Sequence, residues 1–150
     1  MDHVTLAGDL FLEGYNCAQA VAVAFADVTG MDKQLAAKMA APFGGGMGRM
    51  REVCGAVSGM FMVLGALYGY DNSDAESTKK ELYKQVQALA EKFREENGSI
   101  ICREILKNPP SDPNPSPRTA EYYAKRPCAR MVMTAAKLMD EFIAEHPLEG

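Results

Sequence analysis

Apolar residues recur at helical spacing along most of the chain, and no segment alternates apolar and polar residues cleanly enough to predict a half-buried strand. In one segment, Leu82, Val86, Leu89 and Phe93 fall on a single stripe, which is typical of an amphipathic helix. The pattern predicts helices over residues 4–13, 17–28, 32–41, 73–97 and 127–146.

The ends of these helices are marked by residues whose backbone chemistry favours a start or a stop. Ser73 followed by Glu76 predicts a capping box, and Gly98 predicts a C-terminal cap. The first three predicted helices stop at Gly14, Gly30 and Pro42.

The segment 53–70 has eighteen residues without a charge, which is the lower limit for crossing a bilayer. It contains several glycines, is flanked closely by charged residues, and has no second segment like it. A helix that is apolar all round is buried in either protein or lipid, and here we favour protein. The sequence therefore predicts an all-α fold, a compact bundle of about six or seven helices around a central apolar, glycine-containing helix, with no membrane span.

Two segments are predicted to be irregular. Residues 44–48 contain four glycines, and residues 108–117 contain five of the eight prolines. The glycine segment is not followed by the Gly-Lys-Ser or Gly-Lys-Thr of a phosphate-binding loop, so we do not expect a nucleotide site. Close backbone approach is a better reason for these glycines.

Composition narrows the class of protein further. A length of 150 residues fits one helical domain over 1–150 that buries enough surface to fold without a disulfide. The net charge of −4 disfavours nucleic acid as a partner. Acidic residues precede the first long apolar run, unlike a secretory signal, so we expect a cytoplasmic protein whose thiols are kept reduced.

The four cysteines are the best candidates for chemistry. They are 37, 48 and 26 positions apart, so no zinc-finger, Cys-x-x-Cys or haem-attachment spacing is present. Each is predicted near the first turn of a helix, where free N–H groups and the helix dipole stabilise a thiolate. The cysteines are Cys17, Cys54, Cys102 and Cys128.

Local signals support these helix starts. Asn16 and Gln19 form a capping box beside Cys17, and Pro127 is a favoured first helical residue beside Cys128. Ser99 is predicted to cap a helix from Ile100. Arginines near the cysteines, Arg49, Arg51, Arg126 and Arg130, add positive potential.

Cysteine is also a small apolar residue that is often buried for packing alone, and on the residues alone this explanation is as good as a reactive one. Glycines near the cysteines would let a cofactor or another helix approach closely, and we take Gly45, Gly46, Gly55 and Gly59 as candidate cofactor-binding positions. Tight helix packing remains the commoner reason for small residues in a helix. The methionines are dispersed and are expected in the core.

The sequence Cys54-Gly-Ala-Val-Ser-Gly59, preceded by Phe43-Gly-Gly-Gly-Met-Gly48 and by Gly14-Tyr-Asn-Cys17, resembles the C_GCAxxG_C_C family over nearly the whole chain. That family is defined by four cysteines and a Cys-Gly-Ala-x-x-Gly core. The resemblance implies a redox role without a known substrate. A more distant likeness to the helical part of split-Soret cytochromes raises iron–sulfur or haem binding.

Three hypotheses follow, and the residues leave them open. The first is a thiol-based redox protein, with the cysteines in dithiol/disulfide pairs and Cys54 as the attacking thiolate. The second is a metal or cluster site in which the same four thiolates bind zinc or an iron–sulfur cluster. The third is a helical interaction module, such as a homodimer, with inert buried thiols. Neither the redox partner nor catalysis itself can be read from the residues.

Overall fold

The computed structural model describes residues 2–148, without the side chains at 124 and 125. Helices make up 68% of what the structure describes. Within the described residues there is no sheet, only an isolated antiparallel bridge between Val53 and Ile101. The predicted all-α class is therefore confirmed, while positions 1, 149 and 150 of the predicted 1–150 domain lie outside the described residues.

The elements follow one another with short connections. In chain order they are α1 (His3–Leu12), α2 (Cys17–Ala24), α3 (Ala26–Thr29), α4 (Lys33–Ala40), a 3₁₀ turn (Ala41–Phe43), α5 (Gly44–Met47), α6 (Gly55–Tyr68), α7 (Glu76–Asn97), α8 (Cys102–Ile105), α9 (Ala120–Lys125) and α10 (Cys128–Glu145). Six elements of residues 2–148 have eight residues or more. Of the shorter elements, α3 lies within the helix predicted over 17–28 and α8 near the helix predicted from Ile100, whereas α5 and α9 were not predicted as helices.

Helix caps explain several boundaries. The capping box of Asn16 and Gln19 is present, with the Gln19 amide donating to Asn16 Oδ1 at 2.9 Å and the Asn16 amide to Gln19 Oε1 at 3.0 Å. Gly98 ends α7 in the left-handed conformation, as predicted.

The predicted capping box of Ser73 and Glu76 is wrong. Helix α7 begins at Glu76 itself, after Ala75, and no side chain caps it. Instead, the Asn72 side chain accepts a hydrogen bond from the Asp74 amide at 3.1 Å. This turn over residues 72–74 stands where the sequence predicted the helix to start.

The helix predicted over 17–28 is divided at Phe25, whose φ of −97° and ψ of 11° leave the helical range. Phe25 is fully buried, and its ring stacks on the His3 ring with centroids 4.1 Å apart. Tertiary packing has therefore overridden a continuous helical pattern. The chain also passes through Pro42 as a 3₁₀ turn rather than stopping there.

The core is organised around the pair α2 and α6 rather than around α6 alone. Seven of the eight residues of α2 are buried, whereas α6 is buried continuously only from Gly55 to Met60 and is exposed at Gly65 and Ala66. A Cβ atom at Gly59 would lie 2.7 Å from the Ala18 carbonyl oxygen of α2. The two helices approach this closely because residue 59 has no side chain.

Helix α10 completes the core by packing on α1, α2, α6 and α7. Its periodicity predicts an inner face of Met131, Ala135, Leu138, Met139, Phe142 and Ile143, of which the first five are buried and Ile143 is half-buried. Burying each of the larger side chains stabilises the fold by about 1.5–3 kcal/mol. Because α2, α6 and α10 all pack on one another, the sequence positions at their starts are brought into one region.

None of the helices between residues 2 and 148 combines the length and the apolar character that crossing a bilayer requires. The charge-free segment 53–70 contains α6, which packs on α2, α7 and α10.

Candidate functional site

All four cysteines lie at helix starts, as the sequence predicted. Cys17, Cys102 and Cys128 are the first residues of α2, α8 and α10, and Cys54 directly precedes α6. One detail differs, because α8 begins at Cys102 and not at Ile100. The Ser99 hydroxyl accepts from the Ile101 amide and is bonded to Glu104, so it holds the turn before the helix.

The four helix starts surround one cavity of about 230 Å³. All four cysteines line it, although they are far apart in sequence. Each cysteine is less than one-tenth exposed, and all four are free thiols. The fold therefore gathers buried thiols around a small internal space.

Two of these thiols form a close pair. Cys17 and Cys128 lie 4.1 Å apart without a disulfide between them. They are distant in sequence and belong to different helices. They come close because α10 packs on α2.

The two thiols of the pair have opposite acidities. The pKa of Cys128 is lowered to about 7, first because the Cys17 thiol donates to it, and further because Arg126, Arg118 and Arg51 are near. The pKa of Cys17 is raised by the same hydrogen bond and by burial. When the pair loses a proton, the thiolate is therefore favoured on Cys128, beside a protonated Cys17, over the reverse arrangement.

The remaining two cysteines are less acidic. Burial raises the pKa of Cys54 to about 12, although the amides of Ala56 and Val57 act in the opposite direction. Burial also raises the pKa of Cys102, against the effect of Arg51, whose Nη1 lies 3.6 Å from Cys102 Sγ. Neither thiol is poised for attack in the way that Cys128 is.

Two backbone segments fix Cys54 and Cys102 relative to each other. The Cys54 amide donates to the Ile100 carbonyl at 2.7 Å, and the Cys102 amide donates to the Glu52 carbonyl at 2.6 Å. These bonds flank the isolated bridge between Val53 and Ile101. The short α8 is thereby attached to the start of α6.

Three of the four candidate glycines line the cavity: Gly45, Gly46 and Gly55. Gly45 and Gly46 have φ of 67° and 73°, which makes α5 an irregular turn. A Cβ at Gly46 would lie 2.6 Å from the Cβ of Cys102, so this glycine permits the approach of α8. Gly59 does not line the cavity and is packed against Ala18 and Val21, as expected if this glycine serves tight helix packing.

Four arginines also line the cavity, and the described lining residues include no Asp or Glu. Arg49, Arg51 and Arg126 had been predicted to add positive potential, whereas Arg130 is exposed and does not line the cavity. Arg118 was missed, because no motif marks it. The lining arginines are Arg49, Arg51, Arg118 and Arg126.

The proline-rich segment 108–117 forms one wall of the cavity, which the sequence did not reveal. Arg51 Nε donates to the Pro110 carbonyl at 2.9 Å, and Arg49 Nε donates to the Asp112 carbonyl at 2.8 Å. Arg49 Nη1 also donates to Ser116 Oγ at 3.1 Å. The arginines thus attach an otherwise irregular segment to the site.

Two aromatic residues, Phe11 and Tyr122, also line the cavity. Arg118 donates to the Phe11 carbonyl at 3.1 Å and lies over the Phe11 ring, 4.6 Å from its centroid. The guanidinium groups of Arg118 and Arg126 each lie 5.1 Å from the ring centroid of Tyr122. These contacts hold two positive charges close to Cys128.

A metal site would require several donor side chains to converge on one point. Among the described residues, no group of three or more His, Cys, Asp or Glu side chains is placed to share one metal ion. Zinc and iron–sulfur binding by these thiols stay predictions.

Comparisons with known proteins bear on the thiols. Residues 15–142 match the model of the family described as "Putative redox-active protein (C_GCAxxG_C_C)". No curated protein and no solved structure matches the chain. The match covers well over half of the sequence and includes all four cysteines of the cavity, and the chain therefore belongs to the C_GCAxxG_C_C family.

Proposed function

We propose that this chain is a thiol-based redox protein in which Cys128 is the attacking thiolate and Cys17 is the thiol that closes a disulfide with it. The observation that carries the proposal is the 4.1 Å separation of these two thiols at the arginine-lined cavity. The family to which the chain belongs is described as redox-active, which supports the same conclusion.

The acidity of the pair supports this assignment of roles. With a pKa of about 7, Cys128 is about half thiolate at neutral pH, and an attacking thiol is most effective when its pKa lies near the ambient pH. The sequence had favoured Cys54 for this role. Burial keeps Cys54 protonated, with its pKa at about 12, so Cys128 replaces it in the proposal.

The reaction conserves atoms and electrons with a disulfide RSSR as the oxidant. The Cys128 thiolate attacks one sulfur, the S–S bond of the oxidant breaks, and one thiolate RS⁻ leaves. Cys17 then gives up its proton and attacks the Cys128 sulfur, releasing the second RS⁻. The protein loses two electrons, the oxidant becomes two thiols, and an intramolecular disulfide remains.

The test is to identify which thiols become linked. Fully reduced protein would be treated with bis(2-hydroxyethyl) disulfide, the remaining thiols alkylated, and the protein digested without reductant for mass spectrometry. We expect a Cys17–Cys128 linkage, with Cys54 and Cys102 alkylated. In Cys17→Ser, the mixed disulfide on Cys128 should accumulate, because no second thiol resolves it.

Other outcomes would contradict the proposal. Preferential linkage of a different pair would remove the assigned roles. Thiols that react only after unfolding would favour the inert structural module, a hypothesis that the burial of all four cysteines also fits. Stoichiometric zinc or iron in protein prepared without oxygen would favour the metal hypothesis.

A further inference from the structure

The cavity carries an unusual charge for this chain. The whole sequence has a net charge of −4, yet the cavity is lined by four arginines. They come from two separate parts of the chain, so the fold and not a local run of basic residues concentrates them. A cleft lined by one sign of charge raises the local concentration of ions of the opposite sign.

Arg51 gives the strongest indication of a ligand. It is only 3% exposed, its Nε donates to the Pro110 carbonyl, and its Nη1 approaches Cys102 Sγ. Its Nη2 is buried and has no hydrogen-bond partner within the described part of the chain. A buried guanidinium donor without an acceptor is costly, and buried polar groups are rarely left unpaired.

The backbone around Arg51 supports a functional reason for this placement. Arg49 and Arg51 have φ of 66° and 63°, a left-handed conformation that non-glycine residues seldom adopt. The Arg51 amide donates to the Gly45 carbonyl, and the Arg51 carbonyl accepts from the Arg103 amide. Strain of this kind that is held in place by several bonds is characteristic of ligand sites.

The positive charges lie within reach of the sulfur atoms. Arg51 contacts Cys102. Arg51, Arg118 and Arg126 are close enough to Cys128 that each lowers the pKa of its thiol. An acid group bound to these arginines would therefore hold the rest of its molecule in the space that the thiols line. The cavity of about 230 Å³ is smaller than the 300–1,000 Å³ of typical drug-sized pockets, which suits a small molecule.

We infer that the cavity binds the carboxylate of a small anionic disulfide at Arg51, and that such a disulfide is the oxidant of the Cys17–Cys128 pair. This rests on the proposed function for the redox step, whereas the binding of the anion stands on Arg51 alone. The step is the exchange given above, with R carrying a carboxylate that does not itself react.

Anion binding can be tested without any redox reaction. The thioether 3,3′-thiodipropionate has the carboxylates of the corresponding disulfide but cannot exchange with thiols. We expect calorimetry to detect its binding to the reduced protein and to detect none for the neutral thiodiethanol. Arg51→Gln should weaken binding about tenfold or more, because a charge-assisted hydrogen bond is lost. The matched control is Arg130→Gln, since Arg130 is exposed and does not line the cavity.

The redox step is tested with disulfides of different charge. The probes are 3,3′-dithiodipropionate, bis(2-hydroxyethyl) disulfide and cystamine, and each rate is divided by the rate with a simple thiol. The net charge of −4 by itself predicts that the anion reacts slowest. We expect the anion instead to react about tenfold faster than the neutral probe, and this ratio to fall in Arg51→Gln but not in Arg130→Gln.

The outcomes separate the two proposals. If the thioether binds but no disulfide reacts, the redox function fails and the anion site stands. If disulfides react without regard to charge and the thioether does not bind, the anion site is overturned and the redox function stands. If Arg51→Gln does not fold, Arg126→Gln and the salt dependence of thioether binding decide. Thioether binding that changes neither in Arg126→Gln nor with salt concentration would overturn the inference.

Discussion

The starts of α10 and α6 carry the same residue in similar positions but in different surroundings. Cys128 begins α10 and Cys54 directly precedes α6, and both are buried at the cavity. The pKa of Cys128 is lowered to about 7, whereas that of Cys54 is raised to about 12. The difference comes from the neighbours: Cys128 has a thiol donor and three arginines nearby, and for Cys54 the cost of burial dominates.

The comparison shows that a helix start alone does not activate a cysteine. The dipole of a helix contributes about 0.3–1 kcal/mol at exposed sites, less than one pKa unit. Burial and close charges can shift a pKa by several units. A cysteine at a helix start is therefore reactive only when tertiary packing also supplies positive charge or donors.

The largest effect is expected from removing the acidic thiol. Five pKa units between Cys128 and Cys54 change the thiolate fraction by about 10⁵, and the lower nucleophilicity of an acidic thiolate offsets about 10² of this. Cys128→Ser should therefore abolish the fastest phase of alkylation by iodoacetamide at pH 7 and leave only slower thiols, whose pKa values are raised. Alkylation quenched at a series of times and analysed by mass spectrometry measures the rate at each cysteine.

The matched variant is Cys54→Ser, for which we expect only a small change in that fast phase. A fast phase that survives in Cys128→Ser and disappears in Cys54→Ser would reverse the comparison. Circular dichroism of both variants verifies that the fold is retained.

Oxidation of the reactive pair should have the next largest effect, on stability. A disulfide between Cys17 and Cys128 closes a loop of more than 100 residues, and the loss of chain entropy in the unfolded state corresponds to about 4–5 kcal/mol. We expect urea unfolding of oxidised wild-type protein to shift to higher denaturant than that of the reduced protein. Cys17→Ser treated with the same oxidant should show no shift, and an equal shift in that variant would mean that another bond is responsible.

Both helix starts depend on α6 lying close to α2, which can be tested at two glycines of the same helix. Gly59→Ala places a methyl group against Ala18 and should destabilise the protein by about 1–3 kcal/mol. Gly65→Ala meets nothing within 4 Å and should stabilise it by about 0.5–1 kcal/mol. Equal effects in thermal unfolding would show that the close approach of α2 and α6 is not a constraint.

Arg126→Gln tests how much the arginines contribute to the pKa difference between Cys128 and Cys54. Because Arg126 lowers the pKa of Cys128, removing its charge should move the pH midpoint of alkylation upward from about 7. Arg94→Gln, on the surface of α7, is a control for a general change in net charge. A midpoint unaffected by Arg126→Gln would leave Cys17 as the main cause of the low pKa.

The smallest effect is expected at His3, where neighbours again decide the acidity. Burial lowers the pKa of His3, but hydrogen bonds to Asp27 and Asp140 outweigh it, so the pKa is raised from 6.5. The resulting stabilisation is fully present below pH 6.5 and is lost as the pH rises through the higher folded pKa. It should be less than about 1 kcal/mol, because such partly exposed ion pairs contribute little. Urea unfolding at several pH values, with His3→Gln as the control, measures it.

The sequence was sufficient for the parts of the site that depend on local chemistry. Asn16 and Gln19 predicted the start of α2, the periodicity of α10 predicted its buried face, and all four cysteines were placed at helix starts. Caps and periodicity act over a few residues, and such signals are visible in a single chain.

The remaining features depend on contacts between distant residues, which no local pattern records. The approach of Cys17 to Cys128, the position of Arg118 and the cavity wall of residues 108–117 all result from tertiary packing. The sequence favoured Cys54 and our proposal favours Cys128 for the same reason, since burial and neighbouring charge are properties of the folded chain. The prediction for Ser73 failed because Asn72 offered a competing local bond.

The separation of the two paired cysteines along the sequence also has a consequence for biosynthesis. A ribosome makes Cys17 more than 100 residues before Cys128, and α10 must then dock before the two sulfurs meet. Until that docking, Cys17 lacks the neighbour with which it would react. Formation of the bond would therefore report that α10 has been made and has reached its place.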